Sequence, residues 1–189
     1  FEGHYSYLGK KFIPSWGGSL FEFLAPTLLV DEQRLAKKNL GKNNEIATDL
    51  HIQYALKEQK YPIWGIAPCA IRNGKYWIYR EYGISQMGAK GYSDRGIVAP
   101  YASFLALATR PEAAIQNFRQ MLSKHPDSYG EYGFYDSIDV TKGIVNHQYL
   151  VLDQAMSFLA IANYLENGSL RRRFHLDPIG KKSEALLQE

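Results

Sequence analysis

One carboxylic acid lies inside an apolar stretch near the start of the chain. Glu22 stands between Phe21 and Phe23 in the segment SWGGSLFEFLAP, residues 15–26. Burying an ionised carboxylate there without partners costs several kcal/mol, so the side chain should face a polar cavity, hold a proton or pair with a base. A cleft carboxyl with a raised pKa could serve as an acid catalyst. A solvent-facing glutamate or a structural ion pair fits the same pattern equally well.

Aromatic side chains are the second feature that could carry chemistry. They make up 14% of the 189 residues, with 14 tyrosines against 9 phenylalanines and 3 tryptophans, and many fall in glycine-rich segments. Tyrosine and tryptophan combine a flat apolar face with a hydrogen-bonding edge, which suits sugar rings and also wet interfaces. Loops that carry such residues are often functional.

Several classes of function are disfavoured by composition. The net charge is +3, and the basic cluster at 171–173 with Lys181 and Lys182 is too small for a nucleic-acid footprint. No apolar run approaches the roughly 20 residues that span a membrane, and no signal peptide is recognised. His4, His51 and His147 lack metal-ligand spacing, so neither a metal site nor a cofactor is predicted.

Compartment cannot be read from the single cysteine, Cys69, which excludes an internal disulfide. The chain begins at Phe1, so we expect either a processed protein or a piece of a longer one. The localisation stays unassigned, with the periplasm or the exterior of a bacterium as candidates.

Hydrophobic periodicity predicts a helical chain with long loops. The predicted helices cover residues 19–30, with Pro26 kinking the helix or ending its first part, then 44–59, 100–108, 111–124, 149–167, 169–174 and 179–187. Residues 1–14, 61–100 and 126–147 are predicted to be loops, and the 61–100 loop is expected to line a cleft.

A faint internal repeat supports an all-α architecture. SFLALA at 103–108 recurs as SFLAIA at 157–162, and EYG at 81–83 recurs at 131–133, with offsets of 54 and 50 residues. Such periods are typical of stacked helical hairpins. Small residues at regular intervals would let these helices approach closely. We therefore predict an αα-toroid in which inner helices surround a cleft.

The order of five motifs resembles that of the bacterial glucoamylase-like domain, a family that includes endo-β-1,2-glucanases and the transglycosylating part of cyclic β-1,2-glucan synthases. The motifs are SWGGSLFE (15–22), WGI (64–66), VAPYAS (98–103), YGFYD (132–136) and LDQAM (152–156). The resemblance implies a single (α/α)6-like domain over residues 1–189 that looks like the C-terminal half of a larger toroid. The missing helices would come from an N-terminal half or a second copy of the chain.

The resemblance also implies roles for particular residues. Glu22 stands where the family has its general acid and Asp153 where it has its general base, and we expect the inverting geometry. Without the family resemblance, Asp153 could simply cap the start of a helix or interact favourably with the helix dipole. The residues predicted to bind substrate, by stacking on sugar rings or bonding to hydroxyls, are Trp16, Trp64, Tyr82, Tyr132, Tyr135, Asp136 and Gln154. Asp136 could equally make a local Asx turn.

The sequence supports two functional hypotheses. The leading hypothesis is a glycoside hydrolase or transglycosylase-like domain that acts on a β-glucan, an oligosaccharide or polysaccharide substrate. The alternative is a non-catalytic glycan-binding or scaffolding domain of a larger bacterial protein. The segment APC at 67–69 departs from the family pattern after WGI and favours the alternative.

Overall fold

Helices account for about half of the chain in the computed structural model, which describes residues 3–187. The α-helices are α1 (Leu20–Leu24), α2 (Glu32–Leu35), α3 (Leu40–Gln53), α4 (Pro100–Leu105), α5 (Pro111–Lys124), α6 (Val151–Leu165), α7 (Ser169–Leu176) and α8 (Pro178–Ser183). Short 3₁₀ turns extend α1, α4 and α8, and a π-helical turn at Tyr54–Glu58 extends α3. None of the described helices is long and apolar enough to cross a membrane.

Short antiparallel strands fill the segments between the helices. They are β1 (Tyr5–Tyr7), β2 (Lys10–Phe12), β3 (Cys69–Asn73), β4 (Tyr76–Arg80), β5 (Ile97–Val98), β6 (Tyr129–Gly130), β7 (Gly133–Phe134), β8 (Ser137–Asp139) and β9 (Ile144–Asn146). β1–β2, β3–β4 and β6–β7 form hairpins, and β8 lies between β5 and β9 in a three-stranded sheet. The all-α prediction is therefore corrected to a mostly helical fold with small sheets.

These strands were predicted as loops because they are too short to show alternation. The exception is the β3–β4 hairpin, in which five residue pairs run from Cys69↔Arg80 to Asn73↔Tyr76. Its two-residue turn has Gly74 at φ +62°. A glycine turn between residues of strand propensity is a hairpin signal, so this hairpin could have been predicted from the sequence.

The ends of the helices are determined by proline, capping side chains and glycine. α5 occupies the predicted range 111–124, with Pro111 in the first turn, where its missing N–H is harmless. α3 begins four residues before the predicted start at 44, because the Asn39 side chain accepts a hydrogen bond from the Leu40 N–H at 2.6 Å. α6 lies within the predicted 149–167 and is followed by Gly168 in the left-handed region at φ +78°.

The core lies around α4, which packs against α1, α5 and α6. The two copies of the repeated hexapeptide lie on α4 and α6 and on the short turn after α4. Ala102, Ala106 and Ala160 from these segments are buried, as expected for helices that approach closely. Phe104, Phe118 and Phe134 form an aromatic cluster beside them, with ring centroids 4.2–6.0 Å apart.

Candidate active site

Asp153 opens onto a cavity between α4, α6 and the β6–β7 hairpin. The side chain belongs to the first turn of α6 and is only 2% exposed. The cavity has a volume of about 280 Å³. Its lining is Pro100, Tyr101, Phe104, Tyr129, Glu131, Tyr132, Gly133, Phe134, Tyr135, Asp136, Asp153, Gln154, Ser157, Phe158 and Ile161. A carboxyl group and several aromatic rings thus share one concave surface.

Asp136, just before β8, faces the same cavity and is also 2% exposed. One of its oxygens accepts a hydrogen bond from the Ala70 N–H of β3. The next residue, Ser137, donates its hydroxyl to the Ala70 carbonyl at 2.7 Å. Two consecutive side chains therefore hold β3 against β8 and fix the position of Asp136.

The Asp136 and Asp153 carboxyls form a coupled pair. Burial is the main cause that raises the pKa of Asp153, to about 9, and the Asp136 carboxyl adds to this shift. Burial also raises the pKa of Asp136, although its contacts with Asp153 and the Ala70 N–H oppose the shift. Two ionised carboxylates offer each other no donor, so their contact becomes a hydrogen bond only when a proton lies between them. Both shifts favour the form of the pair that keeps a proton at neutral pH.

No other donor from residues 3–187 reaches the Asp153 carboxyl, since neither of its oxygens has a hydrogen-bond partner there. Buried polar atoms are normally satisfied. Both oxygens are also shielded from solvent, so Asp153 lies in the wall of the cavity with two acceptors that no donor from residues 3–187 uses.

Glu22 has the opposite environment. It is half-buried in α1, and its Oε2 accepts hydrogen bonds from the Ser15 hydroxyl (2.7 Å), the Gly17 N–H (2.9 Å) and the Ser19 N–H (3.2 Å). Its Oε1 accepts only the longer branch from the Gly17 N–H, at 3.1 Å. Ser19 in turn caps α1 by accepting from the Glu22 N–H, so the two residues form a capping box.

The loop that supplies these donors is clamped by a second loop. Backbone hydrogen bonds join Gly18 to Ile84 and Gly17 to Tyr92. Gly83 and Gly88 lie so close to the backbone of Gly17 that a β-carbon at either position would overlap it. The Glu22 loop is therefore held from both sides by backbone contacts.

Glu22 is not among the residues that line the Asp153 cavity. The contact between the two regions runs through aromatic rings, because Phe21 packs edge-on against Tyr101, with centroids 6.4 Å apart. The Tyr101 ring borders the cavity, and its hydroxyl donates to the Pro68 carbonyl at 2.9 Å. The two proposed catalytic carboxyls thus belong to neighbouring but separate surfaces of the chain.

The predicted sugar-binding residues divide into two groups. Tyr132, Tyr135, Asp136 and Gln154 all line the Asp153 cavity, and Trp16 is exposed beside Glu22. Gln154 also donates its amide to the Phe134 carbonyl at 2.9 Å, which holds the β6–β7 hairpin to α6.

Trp64 and Tyr82 do not fit the stacking prediction. Each is 2% exposed and belongs to the hydrophobic core. The backbone of Trp64 is bonded to the Asn117 amide, and this contact fixes the residue between α4 and α5. An aromatic residue in a glycine-rich segment can face inward as easily as outward, and composition does not distinguish the two.

Sequence reasoning missed three cavity residues of α6. Ser157, Phe158 and Ile161 follow Asp153 at helical spacing on one face, so the periodicity of α6 could have identified them. Among residues 3–187, no group of three or more His, Cys, Asp or Glu side chains is arranged to hold a metal ion.

The fold is shared with solved glucan-cleaving enzymes. The chain superposes on a β-1,2-glucanase from Parabacteroides distasonis with a TM-score of 0.76 and 25% identity, covering 97% of this chain and 26% of that one. The endo-β-1,2-glucanase from Chitinophaga pinensis, solved with sophorotriose and glucose, gives a TM-score of 0.72 at 22% identity, covering 98% of this chain and 46% of that one.

The chain belongs to the glucoamylase-like family, since residues 2–178 match the family described as "Putative glucoamylase". It is also 31% identical over 206 residues to the cyclic β-(1,2)-glucan synthase of Rhizobium meliloti, covering 98% of this chain and 7% of that protein. The chain therefore spans less than half of the length of each of these relatives.

Proposed function

We propose that this chain is a glycoside hydrolase or transglycosylase-like domain that acts on a β-glucan. The observation that carries the proposal is the buried carboxyl pair Asp136–Asp153, which faces an aromatic-lined cavity. The named relatives cleave or build β-1,2-glucans, which supports glucan as the substrate class. Cleavage of a glycosidic bond requires one carboxyl to protonate the leaving oxygen and another to activate water.

In the proposed mechanism Asp153 is the base and Glu22 is the acid, with inversion at the reacting carbon. For Asp153 to act as the base, the proton that the pair shares must move onto the Asp136 carboxyl. A sugar hydroxyl or a water molecule that donates to Asp153 would stabilise its ionised form and lower its pKa. Substrate binding would therefore itself prepare the base.

The two oxygens of Glu22 are suited to different tasks. Oε2 accepts three hydrogen bonds and holds the loop, whereas Oε1 accepts only the weaker branch from the Gly17 N–H. A proton on Oε1 would leave the contacts of Oε2 in place. We therefore assign proton donation to Oε1, and the exposed Trp16 of the same loop is the ring proposed to stack on a sugar.

The test is release or transfer of glucose units from a β-1,2-glucan by variants of the two acids. Asp153→Asn and Glu22→Gln should each lower turnover by at least about 100-fold, the lower end of the range for acid–base catalysis. Glu112→Gln is the matched control, because Glu112 is exposed in the first turn of α5, far along the chain from either acid. Circular dichroism at the assay temperature verifies that each variant is folded. Unchanged turnover in either acid variant would remove that residue from the mechanism.

A non-catalytic glycan-binding domain is the second candidate. It is favoured by the surroundings of the two acids, because burial and Asp136 raise the pKa of Asp153, and the hydrogen bonds to Glu22 come from its own loop. Two results together would select this candidate. Calorimetric titration would show that sophorotriose binds, and prolonged incubation with the glucan would give no product.

A further inference from the structure

The β3–β4 hairpin presents exposed aromatic rings and is joined at its base to Asp136, a residue that lines the Asp153 cavity. Trp77 is 41% exposed, Tyr79 53% and Tyr76 76%. The strands that carry them project from a base at which Cys69 and Ala70 are buried. Exposed aromatic rings in this number on one short hairpin need a physical explanation, because soluble proteins expose few contiguous apolar groups without a binding role.

The base of the hairpin is fixed to the residues of the carboxyl pair. Ala70 donates to Asp136 and accepts from Ser137, and the Arg72 N–H donates to the Asn146 side chain at 3.0 Å. Asn146 also donates to the Ser137 hydroxyl at 3.0 Å. The hairpin is therefore positioned by the same strands, β8 and β9, that hold Asp136 in place.

Strand register places two of the three rings on one face. Tyr79 pairs with Ala70 and Trp77 pairs with Arg72, so these side chains share a face of the hairpin. Tyr76 pairs with Asn73 and belongs to the opposite face. Because the Ala70 N–H donates to Asp136, Tyr79 lies on the residue pair of the hairpin that contacts the carboxyl pair, and burial followed by the charge of Asp153 raises its pKa to about 12. Trp77 lies two residues further along the same face.

The cavity itself is small for a polymer. Its volume of about 280 Å³ lies just below the range of about 300–1,000 Å³ that is usual for small-molecule sites. A glucan chain bound at Asp153 must therefore continue over the surface. The face that carries Tyr79 and Trp77 leads away from the carboxyl pair and offers flat rings with polar edges, and Arg72 beside them adds hydrogen-bond donors.

We infer that Tyr79 and Trp77 form a sugar-binding platform that extends the Asp153 cavity along the β3–β4 hairpin and holds the distal units of a β-glucan chain. This inference rests on the proposed function. Tyr79 contacts the units nearest to the cavity, and Trp77 contacts units further away. Affinity should then increase with chain length until the platform is covered.

The experiment is calorimetric titration with a length series of β-1,2-linked glucose oligosaccharides, beginning with the disaccharide. Trp77→Ala should weaken binding of the longer oligosaccharides by about fivefold or more, the effect of losing one aromatic contact, and should leave the affinity for the disaccharide unchanged. Tyr76→Ala is the matched control, since it removes a more exposed ring from the opposite face of the same hairpin. It should bind every oligosaccharide as the wild type does.

Three results would overturn the inference. If Trp77→Ala and the wild type bound the longer oligosaccharides equally well, the platform would be excluded. The proposed roles of Asp153 and Glu22 would be unaffected, because the turnover assay tests them separately. An equal loss in Trp77→Ala and Tyr76→Ala, or a lowered melting temperature in Trp77→Ala alone, would indicate a structural effect on the hairpin. Failure of the wild type to bind any oligosaccharide would remove the platform together with the proposed substrate class.

Discussion

Glu22 and Asp153 occupy the same position of their helices, the third residue after the N-cap, and yet they meet opposite surroundings. Ser19 caps α1 with its side chain and forms a capping box with Glu22. Leu150 precedes α6 and has no side chain that can cap it. Glu22 receives three hydrogen-bond donors, whereas Asp153 receives none from residues 3–187 and instead faces Asp136.

The comparison shows that the cap and the preceding loop, more than the acid itself, determine which hydrogen-bond partners reach a carboxyl at a helix start. The serine and glycines of residues 15–19 direct a hydroxyl and two N–H groups toward Glu22. The segment before α6 provides no such groups, and burial beside a second carboxyl keeps a proton on the pair.

The largest expected effect on stability comes from Glu22→Gln. The glutamine amide cannot accept from three donors at one atom, and charge-assisted bonds become neutral ones, so the free energy of unfolding should fall by about 2–3 kcal/mol. Urea denaturation measures the change. Glu112→Gln removes a first-turn acid from α5 and should cost only about 0.5 kcal/mol. Equal stability of the Glu22→Gln and Glu112→Gln variants would show that the hydrogen bonds to Glu22 do not stabilise the fold more than an ordinary first-turn acid does.

The next effect is the pH dependence of stability at the other acid. The folded pKa of Asp153, about 9, lies above the ordinary value of 3.8. The folded state therefore keeps a proton that the unfolded state releases, and this contribution to stability is lost as pH rises toward 9. Between pH 7 and 9 the free energy of unfolding of the wild type should fall by about 1 kcal/mol per pH unit.

Asp153→Asn should remove most of this slope, as measured by thermal or urea unfolding at a series of pH values. Burial lowers the pKa of His51 to about 3, so this buried imidazole does not contribute to the slope above pH 7. Asp177→Asn is the control, because Asp177 is exposed and asparagine caps a helix as well as aspartate does. A slope that persists in Asp153→Asn would show that the pair does not hold the proton.

The smallest effect separates the donors of Glu22. Ser15→Ala removes the shortest of its hydrogen bonds, at 2.7 Å, and leaves the two N–H donors in place. The Ser15 hydroxyl also accepts from the Gly18 N–H at 2.9 Å, so two hydrogen bonds are lost and the expected loss is about 1–2 kcal/mol of unfolding free energy. Ser85→Ala is the control, since its hydroxyl contacts only the exposed Gln86 side chain. A loss as large as that of Glu22→Gln would mean that Ser15 alone holds the loop.

Sequence alone predicted the parts of the fold that depend on local signals. α5 was located correctly because Pro111 marks its start and its apolar spacing is regular. Within the predicted 19–30, α1 ends at Leu24 and a 3₁₀ turn over Ala25–Leu28 follows, which agrees with the prediction that Pro26 ends the first part of the helix. The short strands were missed because pairs such as Ile97↔Asp139 join residues far apart in sequence, which no local pattern reports.

In the candidate site, too, local signals were predicted from the sequence and tertiary contacts were not. The YGFYD and LDQAM motifs do meet at one cavity, which places Tyr132, Tyr135, Asp136, Asp153 and Gln154 together. The proton shared by Asp136 and Asp153 could not be predicted, because it depends on a contact between a loop and a helix and on burial. Trp64 and Tyr82 were misjudged for the same reason, since their inward orientation is a tertiary property.

The close approach of Gly83 and Gly88 to the backbone of Gly17 has a consequence for protein engineering. In a saturation library, these two positions should accept only glycine, although neither lines the Asp153 cavity. Such intolerance is easily mistaken for a functional role. Here it would measure how closely two polypeptide backbones lie behind the Glu22 carboxylate.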